Sequence, residues 1–217
     1  MCYYVSNQLT RKEMKDTFGV TYEGPDYQGS EFTNGFSFPQ TPVILDDNRT
    51  EAVLGDWGLV PAWAKDRTLQ KSTLNARIET LTEKPSFKES VSHRCLVLVK
   101  GFYEWKQLDS QGKRKEKYYI RLDNGEKPFA LGGIYNFWTD PQTNEMLTSF
   151  SIVTSGANEL MSEIHNTKDR MPLVLAKDAE NAWLSDHTLE DFAFPNYNPS
   201  LIAVNLDAGS PTQLSLF

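Results

Sequence analysis

The stretch RCLVLVKGFYEWK, residues 94–106, decides the fold. Its apolar run LVLV at 96–99 is far too short to cross a bilayer and reads with its neighbours as a strand over 95–103. Beyond Gly101 the side chains alternate, Phe102 and Glu104 on one face against Tyr103 and Trp105 on the other. Further β-branched and aromatic runs, separated by turn residues, predict strands at 2–6, 42–46, 51–59, 117–123, 128–136, 147–154, 171–176 and 201–206. A helix is predicted from Thr10 to Phe18, opened by the capping box Thr10-x-x-Glu13 and closed at Gly19. Others are predicted at 82–92, 155–164, with Ser155 as N-cap, and 178–185. Strands outnumber helices without alternating with them, which predicts an α+β fold of mainly antiparallel β-sheet with flanking helices. With no repeat and no Gly/Ser linker, one domain is expected over 2–208, followed by a mobile C-terminal tail at 209–217.

The whole chain, 217 residues with 39% hydrophobic and 24% charged, has the composition of a folded protein, which excludes collagen, coiled-coil and low-complexity classes. Its net charge of −7 argues against coating an anionic polymer with the entire surface. The charge is unevenly spread, however. Residues 22–56 carry seven acids and one base, whereas 100–121 carry seven bases and three acids, so a local basic surface can coexist with the acidic total. Within it, GKRKEK at 112–117 also reads as a solvated hairpin tip. The N-terminal residues have no apolar stretch of signal-peptide length, so a soluble, cytoplasmic protein without a membrane partner is expected. Two cysteines and three scattered histidines make neither a disulfide framework nor a metal-ligand spacing, and no metal or cofactor is expected.

Cys2 is the first candidate for chemistry. Removal of Met1 would leave its thiol beside a free α-amine, two nucleophiles with ordinary pKa values near 8 to 8.5. An amine attacks an aldehyde to give an imine, which the thiol closes into a five-membered thiazolidine; alternatively the thiol attacks an amide carbonyl, as N-terminal-nucleophile hydrolases do. The same position also suits a small residue buried in a strand.

The blocks WGLVPAWAKD (57–66), LNARIETL (74–81), RCLVLVKGFYEWK (94–106) and IVTSGANELMSEIHNTKDRMPLVL (152–175), with the opening Met-Cys, resemble the SRAP family, the SOS-response-associated peptidases that crosslink to abasic sites in DNA. The resemblance implies that Cys2 forms a thiazolidine with the ring-opened deoxyribose. Asn75 would orient the Cys2 amine or thiol, and Arg77 would hold a phosphate beside the lesion. It makes Glu104 the acid/base that assists ring opening and imine formation, and His165 a proton shuttle. Thr154 would add a hydroxyl to the pocket, and Arg170 a second phosphate contact. Read without the family, Asn75 is a turn amide, Arg77 a surface ion-pair partner, Glu104 an edge-strand carboxylate facing solvent, and His165 a partner for a helix dipole.

Two departures stand out. Four residues, Asn166 to Asp169, separate His165 from Arg-Met-Pro, where many members have one; and Met-Cys-Tyr-Tyr replaces Met-Cys-Gly-Arg, so Tyr4 sits where an arginine would meet phosphate. Trp57, Trp63 and Trp105 suit either stacking on unpaired bases or a core, and Lys106 would extend a basic groove. The final QLSLF resembles the pentapeptide by which bacterial repair proteins bind the sliding clamp, with Gln213, Leu214, Leu216 and Phe217 as the contacts, unless the tail packs on its own domain.

The expected function is recognition of abasic sites in single-stranded DNA and their covalent capture by Cys2, at replication forks in a bacterial cytoplasm. The alternatives are a thiol peptidase or amidohydrolase using Cys2, and a non-catalytic DNA-binding adaptor.

Overall fold

The computed structural model describes residues 1–185 and 187–208, together with the backbone of Gln213–Leu214. In chain order the strands are β1 (Tyr4–Ser6), β2 (Thr33–Asn34), β3 (Gln40–Leu45), β4 (Ala52–Trp57), β5 (Asn75–Arg77), β6 (Arg94–Val99), β7 (Gly101–Gln107), β8 (Lys115–Leu122), β9 (Phe129–Thr139), β10 (Met146–Gly156), β11 (Arg170–Pro172), β12 (Val174–Leu175), β13 (Leu201–Asn205) and β14 (Gln213–Leu214). The helices are α1 (Arg11–Phe18), α2 (Glu159–Ile164) and α3 (Glu180–Trp183).

Two sheets form. One runs β14-β13-β8-β7-β1-β2; in the other, β10, β4, β3, β6 and β9 follow one another and β9 pairs back onto β10, closing a small barrel. The ladders are antiparallel except where β10 runs parallel to β4 and β5. The result is a single domain, mostly sheet with few helices, consistent with the expected α+β class.

The stretch that suggested one strand makes two. All of β6 is buried on both faces: Cys95, Val97 and Val99 enter a core shared with Phe102 and Ile120 of the six-stranded sheet. Leu96 and Leu98 enter a second core with Met14 of α1 and Trp183 of α3. This double burial is why LVLV lacks polar alternation. At Lys100, whose N–H donates to the Ser6 carbonyl at 2.7 Å, the chain leaves the barrel for the other sheet. The next residue must be glycine, because a Cβ on Gly101 would lie 2.3 Å from the Tyr119 ring.

The predicted strand at 171–176 is likewise divided. β11 pairs with β10 and β12 with β9, and Leu173 between them donates to Val153 and accepts from Gly132, both at 2.8 Å. The helix expected at 82–92 is absent; turns and a short 3-10 segment, Lys88–Ser90, take its place. Pro85 disfavours helical geometry at Lys84 and removes a backbone donor. β10 continues to Gly156, so α2 starts later than expected, capped by Asn158 rather than Ser155.

α1 matches its prediction: Thr10 accepts from the Glu13 N–H, the Glu13 carboxylate accepts from the Thr10 N–H at 2.8 Å, and Gly19 closes the helix at φ 75°. Replacing Thr10 with alanine orphans the Glu13 N–H and is expected to cost about 1 kcal/mol, read as a lower urea midpoint at unchanged m-value.

Candidate active site

β1 pairs antiparallel with β7, Val5 opposite Phe102, which carries the N-terminus across the face that bears Glu104. Cys2 is fully buried in the first core, its Sγ 3.9 Å from the Tyr4 carbonyl. β5 lies parallel to β10, with Asn75 opposite Ile152, and from there the Asn75 Nδ2 donates to the Cys2 carbonyl at 2.8 Å. The Asn75 Oδ1 is a buried acceptor without a donor.

The amine of Met1 lies 3.4 Å from Glu104 Oε1 and 3.1 Å from His165 Nε2. His165 sits at the C-terminus of α2 and its Nδ1 meets the Arg170 carbonyl at 2.8 Å. A carbonyl only accepts, so Nδ1 carries the proton and Nε2 is left as acceptor for the amine. Glu104 Oε2 is 3.9 Å from His165 Nε2. Amine, carboxyl and imidazole thus converge at a cavity of about 170 Å³ that Tyr3, Trp105, Lys115 and Lys168 also line.

Burial sets the protonation states. Desolvation pushes Glu104 up to about 7, against the opposing pull of the amine and Lys168. It also lowers the amine, with Glu104 acting the other way, and lowers His165, assisted by the charge of the amine. The Cys2 thiol is pushed far above its ordinary value, first by burial and then by Glu104, so it is a neutral thiol at physiological pH. Glu104 is therefore neither at an edge nor in solvent: β7 lies between β1 and β8 and the side chain is buried.

Cys2, Asn75, Glu104 and His165 are brought together; the residues expected to bind DNA are not all available. Arg170 is buried, and its guanidinium makes two bonds to Glu79, at 2.6 and 3.0 Å, and a third to the Thr154 carbonyl at 2.7 Å, so its charge is already matched and it is not a free phosphate contact. Thr154 is fully buried, with its hydroxyl 3.1 Å from Arg170, and does not line the cavity. Trp57 is fully buried, its Nε1 donating to the Leu74 carbonyl at 2.8 Å and its ring stacked on Phe150, so it is a core residue and no base can reach it. Trp105 does line the cavity, and Trp63 is exposed. Lys106 is paired with Glu163. Arg77 is exposed at the end of β5.

Of the tail, Gln213–Leu214 pair with β13; the side chains of Gln213 and Leu214, and all of Leu216 and Phe217, lie outside the described residues. Among the described residues no group of acidic, histidine and cysteine side chains could hold a metal, and no helix is long and apolar enough to cross a membrane.

Sequence reasoning missed Tyr3, Lys115 and Lys168 at the cavity and Glu79 as the partner of Arg170. The signal for Lys168 was the unusual spacing between His165 and Arg170.

Comparison with known proteins identifies the family. The family model described as SOS response associated peptidase (SRAP) matches residues 1–200. The abasic site processing protein YoqW of Bacillus subtilis (strain 168) is 41% identical over 161 residues, covering 74% of this chain and 67% of that protein. The abasic site processing protein HMCES of Xenopus tropicalis is 32% identical over 216 residues, 84% of this chain and 61% of its own length. A crystal structure of a protein from Bacteroides thetaiotaomicron superposes with a TM-score of 0.83 at 30% identity, over 95% of this chain and 93% of the other. On the match along most of its length, the chain belongs to the SRAP family.

Proposed function

We propose that the protein processes abasic sites in DNA by capturing the open-chain sugar covalently at Cys2, acting on single strands during replication. The observation that carries this reading is the N-terminal amine held between Glu104 and His165 at a small cavity, with Cys2, the next residue, buried in the core. Hydrolysis of the Met1–Cys2 bond consumes one water and moves the free amine to Cys2. That amine adds to the aldehyde carbon, the carbinolamine loses water to an imine, and sulfur adds to the same carbon. One C–N and one C–S bond form, and one water leaves for each sugar captured.

The residues suit these proton movements. A carboxyl that titrates near 7 donates to the departing hydroxyl and then accepts the proton that the thiol releases as sulfur bonds. His165, held uncharged with Nε2 free, accepts from the amine as it becomes a nucleophile. Asn75 holds the Cys2 carbonyl and turns its unfilled Oδ1 toward any N–H delivered beside it. The names of YoqW and HMCES, both abasic site processing proteins, support this reading as well.

The test uses protein of verified intact mass lacking Met1, mixed with a single-stranded oligonucleotide bearing one abasic site. A slow-migrating band on a denaturing gel is expected, absent when borohydride has first reduced the aldehyde and absent for Cys2→Ala. No band with the untreated DNA, or an undiminished band with Cys2→Ala, overturns the proposal.

A further inference from the structure

The four residues that separate His165 from Arg170 form a loop pinned at both ends. Asn166 makes two bonds to β7, donating from Nδ2 to the Gln107 carbonyl at 2.9 Å and accepting the Gln107 N–H at 3.1 Å. Asp169, in left-handed conformation at φ 53°, accepts the Ala157 N–H at 3.1 Å through its carbonyl and the Ser162 hydroxyl through its side chain. What lies between these anchors, Thr167 and Lys168, is thereby delivered to the wall of the cavity. An insertion held this firmly is built to present something.

The same cavity is lined by Lys115, the first residue of β8, which pairs with Gln107. Both lysines are exposed and neither pairs with a carboxylate among the described residues, whereas Lys106 and Arg170 are matched by Glu163 and Glu79. The two lysines face a single carboxylate, Glu104, among the residues that line the mouth. Like charges gathered this way repel one another unless an anion completes the set. Every sugar inside a DNA strand has a phosphate on each side, so a strand that lays one sugar into the cavity places one phosphate toward each rim.

We propose that Lys168, carried by the inserted loop, and Lys115, at the start of β8, hold the two phosphates that flank the captured sugar. This assignment rests on the reading that a DNA strand enters the cavity. It makes the loop a determinant of strand placement rather than a spacer, and the electrostatic pull of Lys168 on Glu104, His165 and the amine is the consequence of its position in the free protein.

The test is the salt dependence of binding to a single-stranded oligonucleotide carrying a tetrahydrofuran site, which has no aldehyde and measures binding alone. Each lost phosphate contact lowers the slope of log K against log salt by about 0.7 on a single strand. Lys168→Gln and Lys115→Gln are each expected to lower it by about 0.7 and the double variant by about 1.4. Lys168→Arg keeps the parent slope, and so does Lys127→Gln, the same charge change beyond the opposite end of β8. Unchanged slopes in both cavity lysine variants, or an equal fall in Lys127→Gln, overturn the assignment. An adduct with a true abasic site alongside unchanged slopes overturns it alone. Lysine-dependent slopes without any adduct overturn the capture reading and leave the lysines in place.

Discussion

Glu104→Gln is expected to slow adduct formation by about 10²- to 10⁴-fold, the range lost when a positioned acid/base group is removed, while making the protein more stable at alkaline pH. Glutamine keeps the shape of the side chain but neither gives up nor takes a proton. The stability effect has the opposite sign because the folded chain holds Glu104 near 7 against an ordinary 4.5. Below about pH 4.5 the carboxyl is protonated folded and unfolded, and parent and variant are alike. As pH rises through about 7 the folded parent acquires a buried carboxylate that the unfolded chain hydrates freely, and it loses up to about 3 kcal/mol relative to the variant. Thermal melts of both proteins at pH 4, 6 and 8.5, beside single-turnover capture rates, read the two effects together. A variant less stable than its parent at pH 8.5, or one that reacts at the parental rate, contradicts the assignment.

Trp57→Ala is expected to cost about 3–5 kcal/mol, as large aromatic truncations in a packed core do. The indole fills the space between Phe150 and Gly35, whose Cα already lies so close that an added Cβ would stand 3.1 Å from the ring. Trp57→Phe preserves most of that volume but removes one of the two donors to the Leu74 carbonyl, which keeps the Ile152 N–H at 3.1 Å, for about 0.5–1.5 kcal/mol. Because Leu74 leads directly into Asn75, the indole bond also fixes the approach of the strand that grips the N-terminus. Denaturant titration of Trp57→Phe should show the loss of stability while its affinity for single-stranded DNA, measured where it is fully folded, stays that of the parent. A tenfold loss of affinity with unaltered stability would instead make Trp57 a base-stacking surface.

Much of this was legible in the residues. The capping box at Thr10 and the apolar runs fixed α1 and most strands, since both signals are local. The block resemblance picked out Cys2, Asn75, Glu104 and His165, which the fold gathers from just before β1, from β5, from β7 and from the C-terminus of α2, the last three lying 73 to 163 residues beyond Cys2. What stayed hidden depends on partners distant in sequence. Nothing near Arg170 announces that Glu79, 91 residues away, takes its charge. Nothing in WGLVP tells a buried indole from a stacking one until β10 covers it. The single apolar run at 96–99 could not reveal that the chain changes sheets at Lys100, because that exchange is set by Ser6 and Tyr119.

The pairing of Arg170 with Glu79 reaches further than the loss of one phosphate contact. Glu79 follows β5, which presents Asn75, and Arg170 opens β11, whose first carbonyl orients His165. The ion pair therefore straps together, across β10, the two segments that grip the N-terminus from separate sides. Amide and imidazole become parts of one rigid frame, and their alignment is settled when the chain folds rather than when a lesion arrives.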